Sequence, residues 1–458
     1  LNSAKVGSLD NDLESYAVDF SAQVTNTNPF IYGLYGLLGG FYGRFSLMPY
    51  FLKIREYNDY ESRDLWEIEL NLSKSEVDFF IAHLWDMNLA LFDYFYLSEN
   101  CSYHVLRIID AVKPQWDLMS SIKSYVLPID TLVPFLNHKE RVRAIYRRPS
   151  ILNRVKERIS ELKPHEKVLV KKVVKDFELS SIDKLSSPRK AEVLDAAIDL
   201  FDLKYGGKLL LNKGNEEVVS FKNKMLVSRS KLKVNMNNRR IKYQAHEMNL
   251  GHYPTKLELG FDAGDRPQYR FKFRNALHSV NEPFGDIFSA FTLEMGNIDL
   301  SYDKKQGEFV FNRFELARVL ALRPINIIQQ TFSWNFAFGL KNNAFEGHKT
   351  GLFLETSLGA TFKLSKSYVY LHYFYDLQNL ISNIRSRGGP GLTHILKFTN
   401  LTLSTSIRYL KAYNQIFEDN EMISSQLTYT FNPNWQLSSL VSRVEEEDNF
   451  SVMLGYLY

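Results

Sequence analysis

The chain has 458 residues, 45% of them hydrophobic and 24% charged, which excludes a disordered chain and exceeds what one ordinary core holds. A formal net charge of +4 gives no case for a nucleic-acid partner, and the single cysteine excludes an intrachain disulfide. No run of about 18 apolar residues exists, so no transmembrane helix is expected, and no basic-then-apolar leader is read in the first residues.

In chain order, the first residues are polar and mixed, and Asn26-Thr27-Asn28-Pro29 reads as a turn. From Ile31 to Phe45, glycines interleave with aromatics (Gly33, Gly36, Gly39, Gly40, Gly43), which predicts close-packed backbone or an irregular loop over a site. No Gly-Lys-Ser/Thr follows, so this is not a phosphate loop. Residues 49–58 and 64–72 read as strands. In the second, Glu67, Glu69 and Asn71 fall on the wet face. Ser73-Lys74-Ser75-Glu76 then predicts a capped helix running to about residue 90 and carrying His83 beside Trp85.

The aromatic run Tyr94-Phe95-Tyr96 leads into a polar break, Ser98-Glu99-Asn100, and then Cys101. Val105, Leu106, Ile109 and Val112 follow at helical spacing, with Ser98 or Asn100 as the N-cap. Cys101 is therefore expected in the first turn, where free N–H groups and the helix dipole favour a thiolate. Two roles are open there: a reachable nucleophile, which also needs a base, or a packed structural cysteine.

From about residue 115 to 204 the pattern is helical, with Pro149, Pro164 and Pro188 near helix starts. Val170, Val173, Val174 and Phe177 form one apolar stripe; Leu194, Ala197, Ile198 and Phe201 form another. The basic runs Arg141–Arg148 and Lys167–Lys175 read as solvated helix faces, with an anionic-lipid surface as the second reading. A polar, basic linker is expected around Asn235 to Lys242.

Beyond residue 255 strands follow one another. Phe332, Trp334, Phe336, Phe338 and Leu340 share one face of a strand and Ser333, Asn335, Ala337 and Gly339 the other. The same alternation recurs at Leu352–Phe362, Leu401–Tyr409, Leu427–Phe431 and Phe450–Tyr458. One apolar, aromatic face and one small, polar, sparsely charged face predict a transmembrane β-barrel of about 12 strands with a wet lumen. A soluble sandwich would instead turn its large apolar side chains inward and its charges outward. The last residue, Tyr458, is similar to the terminal signal that such barrels present to their insertion machinery. His252 and His278 have no further ligand at metal-binding spacing and read as structural or rim residues.

The first 110 or so residues resemble the Lnb-type lipoprotein N-acyltransferase periplasmic domain family. The residues that carry the resemblance are Gly36, Gly39, Gly40, Tyr42 and Gly43; Glu56-Tyr57; Arg63-Asp64-Leu65-Trp66-Glu67; His83-Leu84-Trp85; and Tyr94-Phe95 with Asn100-Cys101-Ser102-Tyr103. The resemblance implies an α+β permuted papain-like fold at residues 1–114, N-terminally incomplete. After it come a helical segment at 115–204, a linker at 205–254 and an outer-membrane antiparallel β-barrel at 255–458. It implies Cys101 as the nucleophile of a thioester-forming acyltransferase or amidase, and Asn100 as an orienting or oxyanion residue. The family's histidine stands upstream of the glycine-rich stretch, where this chain has none. A base preceding residue 1 is expected, with His83 or His104 as the fallback. Arg63, Asp64 and Glu67 are expected as a supporting polar network. No cofactor and no metal are implied. The expected partners are outer-membrane lipid, a lipoprotein substrate and the insertion machinery. The alternative is a non-enzymatic barrel serving as scaffold, pore or partner-binding protein.

Overall fold

The computed structural model describes residues 14–24, 28–122, 126–128, 130–210, 216–235, 241–243, 251–263, 267–283, 290–326, 331–343, 349–378, 384–413, 420–444 and 447–458. Two compact units result, Leu1–Glu247 and Met248–Tyr458. Among the described residues no helix is long and apolar enough to cross a membrane.

In the first unit, β1 (Tyr16–Gln23) pairs antiparallel with β2 (Phe41–Pro49), with α1 (Pro29–Leu38) between them in sequence. The short β4 (Phe92–Tyr94) lies on the other edge of β2, with Phe41 opposite Tyr94. Helices α3 (Lys74–Asp86) and α4 (Cys101–Val112) close the core, which is built on Phe20, Phe41, Phe45, Phe80, Tyr94, Ile108 and Val112. Each such side chain stabilises the unit by roughly 1.5–3 kcal/mol on burial. The stretch expected as an irregular loop is thus a helix and a strand, and its glycines do allow close approach. A Cβ on Gly36 would stand 2.1 Å from the Tyr96 ring. Gly39 ends α1 with φ +78°.

The strand expected at 49–58 is instead α2 (Tyr50–Ile54), followed by a π-helical turn over Arg55–Tyr60. The reason is electrostatic. Lys53 is 9% exposed, and the helical spacing sets its ammonium 2.9 Å from Glu56 while also holding it 3.2 Å from Asp19. The neighbouring β3 (Leu65–Leu70) and the capping box of α3 at Ser73 and Glu76 agree with the pattern in the sequence.

The basic run at 141–148 forms β5 (Val142–Arg148), a strand rather than a helix face. It pairs with β3, whose acidic face attracts it: Arg143 meets Glu69 at 3.1 Å and Arg148 meets Glu67 at 3.2 Å. A third strand, β6 (Ile241–Tyr243), pairs with β5. The segment expected as a separate helical spacer therefore shares a sheet with the N-terminal segment. Its helices are α5 (Val133–Leu136), α6 (Ile151–Glu161), α7 (Pro164–Asp176) and α8 (Ser187–Leu210). The stripes of α7 and α8 are buried at Val170, Val173, Val174, Leu194, Ala197 and Phe201, while Lys171, Lys172 and Lys175 face solvent. The stretch expected as a linker carries α9 (Glu216–Ser230), which buries Val218, Phe221 and Met225 and ties Arg229 to Asp195 at 2.7 Å. Residues 236–240 of the basic stretch, and 26–27 of the first expected turn, lie outside the described residues.

The second unit is a closed antiparallel barrel. Its wall consists of β7 (Lys256–Asp262), β8 (Gln268–Arg274) continued by β9 (Ala276–His278), β10 (Phe291–Asp303), β11 (Glu308–Ala321), β12 (Ser333–Asn343), β13 (Lys349–Leu364), β14 (Ser367–Gln378), β15 (Arg385–Lys397), β16 (Leu401–Ala412), β17 (Asn420–Asn432), β18 (Trp435–Val444) and β19 (Glu447–Leu457). β8 and β9 pair in turn with the same strand, β10, so the ring has 12 strands. It closes where β19 pairs with β7, from Ser451 opposite Asp262 to Leu457 opposite Lys256.

The alternation read from the sequence sets the faces. Phe336, Leu358, Ile407, Leu427, Phe450 and Leu454 are outward and exposed, and Ala337, Ser357 and Thr428 are inward and buried. Outward aromatics gather near the strand ends, with Trp435 and Tyr456 rings 4.8 Å apart and Phe261 and Tyr269 rings 5.8 Å apart. In water such a surface would be costly. In a bilayer it is the favourable one, and closure leaves no unpaired backbone facing lipid. The inner face differs from the sparsely charged one expected. It is dense with ion pairs, including Arg270–Asp299 at 2.8 Å, Arg313–Glu355 at 2.9 Å and Lys341–Glu355 at 3.3 Å. The charge lies mostly on β7, β8, β10 and β11, whereas the cleanest alternation lies on later, more neutral strands.

Candidate functional site

Cys101 is the first residue of α4 and is partly exposed. Asn100 caps the helix. Its Oδ1 accepts from the backbone N–H groups of Ser102 and Tyr103, both at 3.2 Å, and from the Ser102 hydroxyl at 2.8 Å. Its Nδ2 donates to the carbonyls of Val126 at 2.6 Å and Tyr96 at 3.1 Å. Both amide protons are thus committed inside the fold. Asn100 orients the turn that presents Cys101 and has no proton left for an oxyanion.

Cys101 packs against the aromatic core cluster that holds Tyr94. Burial first, then the neighbouring Cys101, push the Tyr94 phenol above its ordinary range, so it stays protonated. The surroundings are aromatic: Tyr94 and Tyr96 meet edge to face at 5.9 Å, and the Tyr32 ring lies 5.7 Å from Tyr96.

The two in-chain histidines occupy other positions. His83 stacks on Phe79 on the side of α3. His104 is 4% exposed and stacks on Phe20 at 4.2 Å. Burial pushes the His104 imidazole down to about 4, against its hydrogen bond to the backbone of Asp93 and with Arg107 adding to the fall. Among the described residues no hydrogen bond joins Cys101 to a histidine. Tyr103 packs its ring edge on His104 at 5.3 Å, with Arg107 over its face.

Asp64 and Glu67 join a network, as expected, and Arg63 lies outside it. Asp64 accepts from Arg147 at 2.9 Å, the Ser150 N–H at 2.8 Å and Asn153 at 2.9 Å. Burial opposes its charge, but these donors outweigh burial and hold the carboxyl below its usual range. Glu67 accepts from the Tyr50 hydroxyl at 2.6 Å. Arg63 instead pairs with Glu61 at the surface. The network fastens β3, β5 and the start of α6 to one another.

A second cluster lies in the barrel unit. His252, His278 and Glu282 are all buried, and their donor atoms lie within 4.8 Å of one another. Separations of 26 residues between the two histidines and 4 from His278 to Glu282 resemble no metal motif, so spacing alone did not reveal them. The antiparallel pairing of β7 with β8 brings them together.

A cysteine opening a capped helix, in an α+β unit followed by a closed outer-membrane-type barrel, defines a two-part envelope protein. Residues 1–137 match the family model of the Lnb N-terminal periplasmic domain. Residues 249–458 match that of a domain of unknown function, DUF7840. Among curated proteins none matches the chain. Similar solved structures include the KdgM porin in complex with disordered oligogalacturonate (13% identity, covering 44% of this chain and 99% of the porin, TM-score 0.30). Others are the NanC porin (8% identity, 44% and 100%, TM-score 0.30) and the outer membrane protein Omp33 of Acinetobacter baumannii (10% identity, 46% and 100%, TM-score 0.26). The chain is an outer-membrane β-barrel with an N-terminal periplasmic domain of Lnb type.

Proposed function

We propose that the periplasmic unit transfers or hydrolyses acyl groups through a thioester on Cys101, and that the barrel holds it at the outer membrane. Supporting this reading above all is the placing of Cys101, partly exposed, on the capped first turn of α4 beside the Tyr94 cluster. In the proposed cycle the thiolate attacks an acyl carbonyl, the leaving alcohol or amine takes a proton, and an amine or water then releases the acyl group. Lipoprotein or lipid acyl chains fit as substrates because the aromatic surround is apolar and the protein is anchored in a lipid bilayer. Outer-membrane lipid, a lipoprotein and the insertion machinery are the partners of this reading.

Alkylation of Cys101 by iodoacetamide from pH 5 to 9, with Cys101→Ser as blank, tests it. Fast labelling that persists below pH 7, with an acyl adduct on Cys101 after incubation with phospholipid, is the expected result. Labelling confined to the range of an ordinary thiol, with no adduct, would remove the catalytic reading. A second reading, in which the barrel is a scaffold and the periplasmic unit binds a partner, draws on the lack of a histidine bonded to Cys101 among the described residues.

A further inference from the structure

We propose that His252, His278 and Glu282 form a binding site for a divalent transition metal of the zinc kind at the entry to the barrel. The three side chains come from different segments. His252 precedes β7, His278 ends β9, and Glu282 sits on the turn that follows. His252 and Glu282 have side-chain exposures of 0% and 2%.

The hydrogen bonds fix the tautomer. Nδ1 of His252 lies 2.6 Å from the Tyr253 carbonyl, which can only accept, so Nδ1 carries the proton. Nε2 then directs its lone pair at His278 Nδ1, 2.5 Å away, with Glu282 Oε2 at 3.3 Å. An imidazole held by a backbone carbonyl on its far nitrogen is the usual outer support of a metal ligand. Without metal, the His278 Nδ1 proton fills the gap between the rings. With metal, His278 takes the Nε2–H tautomer and the ion replaces that proton, so none need be released. The rings are nearly coplanar and meet head on, with centroids 4.8 Å apart, so a tetrahedral zinc, whose nitrogens stand about 3.4 Å apart, requires them to separate by about 1 Å and to tilt until both lone pairs meet on the ion.

The carboxylate is also supported from outside. Arg274 Nη1 reaches both Glu282 oxygens, at 2.7 and 2.8 Å, and the Ser279 N–H donates to Oε2 at 2.9 Å. Arg274, Lys256 and Lys397, whose ammonium bonds to the Val280 and Glu282 carbonyls, oppose a cation. Glu294, 3.3 Å from Arg274, and Glu258, 2.8 Å from Lys256, offset the first two. Glu282 also borders the lumen cavity of about 470 Å³, from which water completes the coordination.

The ion would fasten the turn at 279–283, which points into the lumen. Asn281 donates to Gln426 on β17 at 3.0 Å, and Lys397 donates to the carbonyl of Val280 at 2.7 Å and to that of Glu282. Zinc would thus pin the inward turn to the strand that opens the barrel.

The test uses the full chain in detergent micelles, stripped with chelator and titrated with Zn²⁺ against a chromophoric competitor. One equivalent is expected, with at least about 100-fold weaker binding in His252→Gln and His278→Gln variants whose heat-modifiable gel mobility reports an intact barrel. Co²⁺ loading of the wild-type chain provides a measurement independent of variant folding. Tetrahedral visible bands without a thiolate charge-transfer band are expected, which separates this site from Cys101. No stoichiometric binding, binding unchanged in the folded variants, or a thiolate band would each overturn the proposal.

Discussion

Lowering the pH should loosen the periplasmic unit through His104. The ordinary imidazole pKa is near 6.5, and burial under Phe20 and Phe92 takes it to about 4 in the folded chain. Between these values the unfolded chain binds a proton that the folded chain refuses, so stability falls as pH drops from about 6.5 to about 4 and levels off below. At 4% exposure solvent screens little of this, and the gap corresponds to about 3 kcal/mol, or roughly 300-fold in the opening equilibrium. The perturbation is His104→Phe, which keeps the ring stack. It loses the hydrogen bond to Asp93 at every pH, about 1 kcal/mol. The assay is hydrogen exchange of α4 peptides in the full chain from pH 7 to 4, corrected for intrinsic rates. Wild-type protection should fall about 100-fold more than that of the variant between pH 7 and 4, where His104 is half protonated in the folded chain, since carboxylate effects are common to both. Parallel pH profiles for the two proteins would refute the argument and mean that His104 is not held neutral by burial.

Asn100→Ala strips the cap of α4 and leaves the carbonyls of Tyr96 and Val126 without a donor; a loss of about 3 kcal/mol in urea unfolding is expected, with altered Cys101 labelling. Gly36→Ala places a methyl inside the Tyr96 ring, so a loss of about 1–3 kcal/mol is expected, relieved in a Gly36→Ala/Tyr96→Ala double variant measured in the same way. Leu358→Arg puts a charge on the lipid face near the middle of β13, and a cost of about 2–4 kcal/mol should appear in refolding titrations into lipid vesicles. The inward neighbour Ser357 should tolerate Ser357→Ala with a loss of about 1 kcal/mol in the same titrations, since among the described residues its hydroxyl bonds only to that of Tyr370.

Much of the barrel could be read from the sequence because a period of two is local: Phe336 and Ala337 announce their faces by their chemistry. The Ser73 cap and the start of α4 at Asn100 were legible for the same reason. Residues 49–58 carry a pattern that suits a strand, and only the ion pairs of Lys53 with Glu56 and the distant Asp19 show why it turns inward on a helix. The arginines of β5 look like a solvated helix until Glu67 and Glu69 lie opposite them. At the site, Cys101 is visible as the chain's one thiol, but Tyr94 is not, since a tyrosine in an aromatic run gives no sign that it packs beside a thiol seven residues on. His252 and His278 read as structural or rim residues in the sequence because a pairing between strands, not a spacing along one element, brings them to each other and to Glu282.

The pairing of β19 with β7 makes the wall a loop of hydrogen bonds with no terminus. Such a loop has no partial version. Until the last eleven residues of the wall, Glu447–Leu457, are in place, two open flanks face the surroundings, each able to recruit another chain. Damage to any one stave therefore creates two sticky margins at once. A cell monitoring its envelope meets either a sealed cylinder or a conspicuous failure, with little between that could escape quality control.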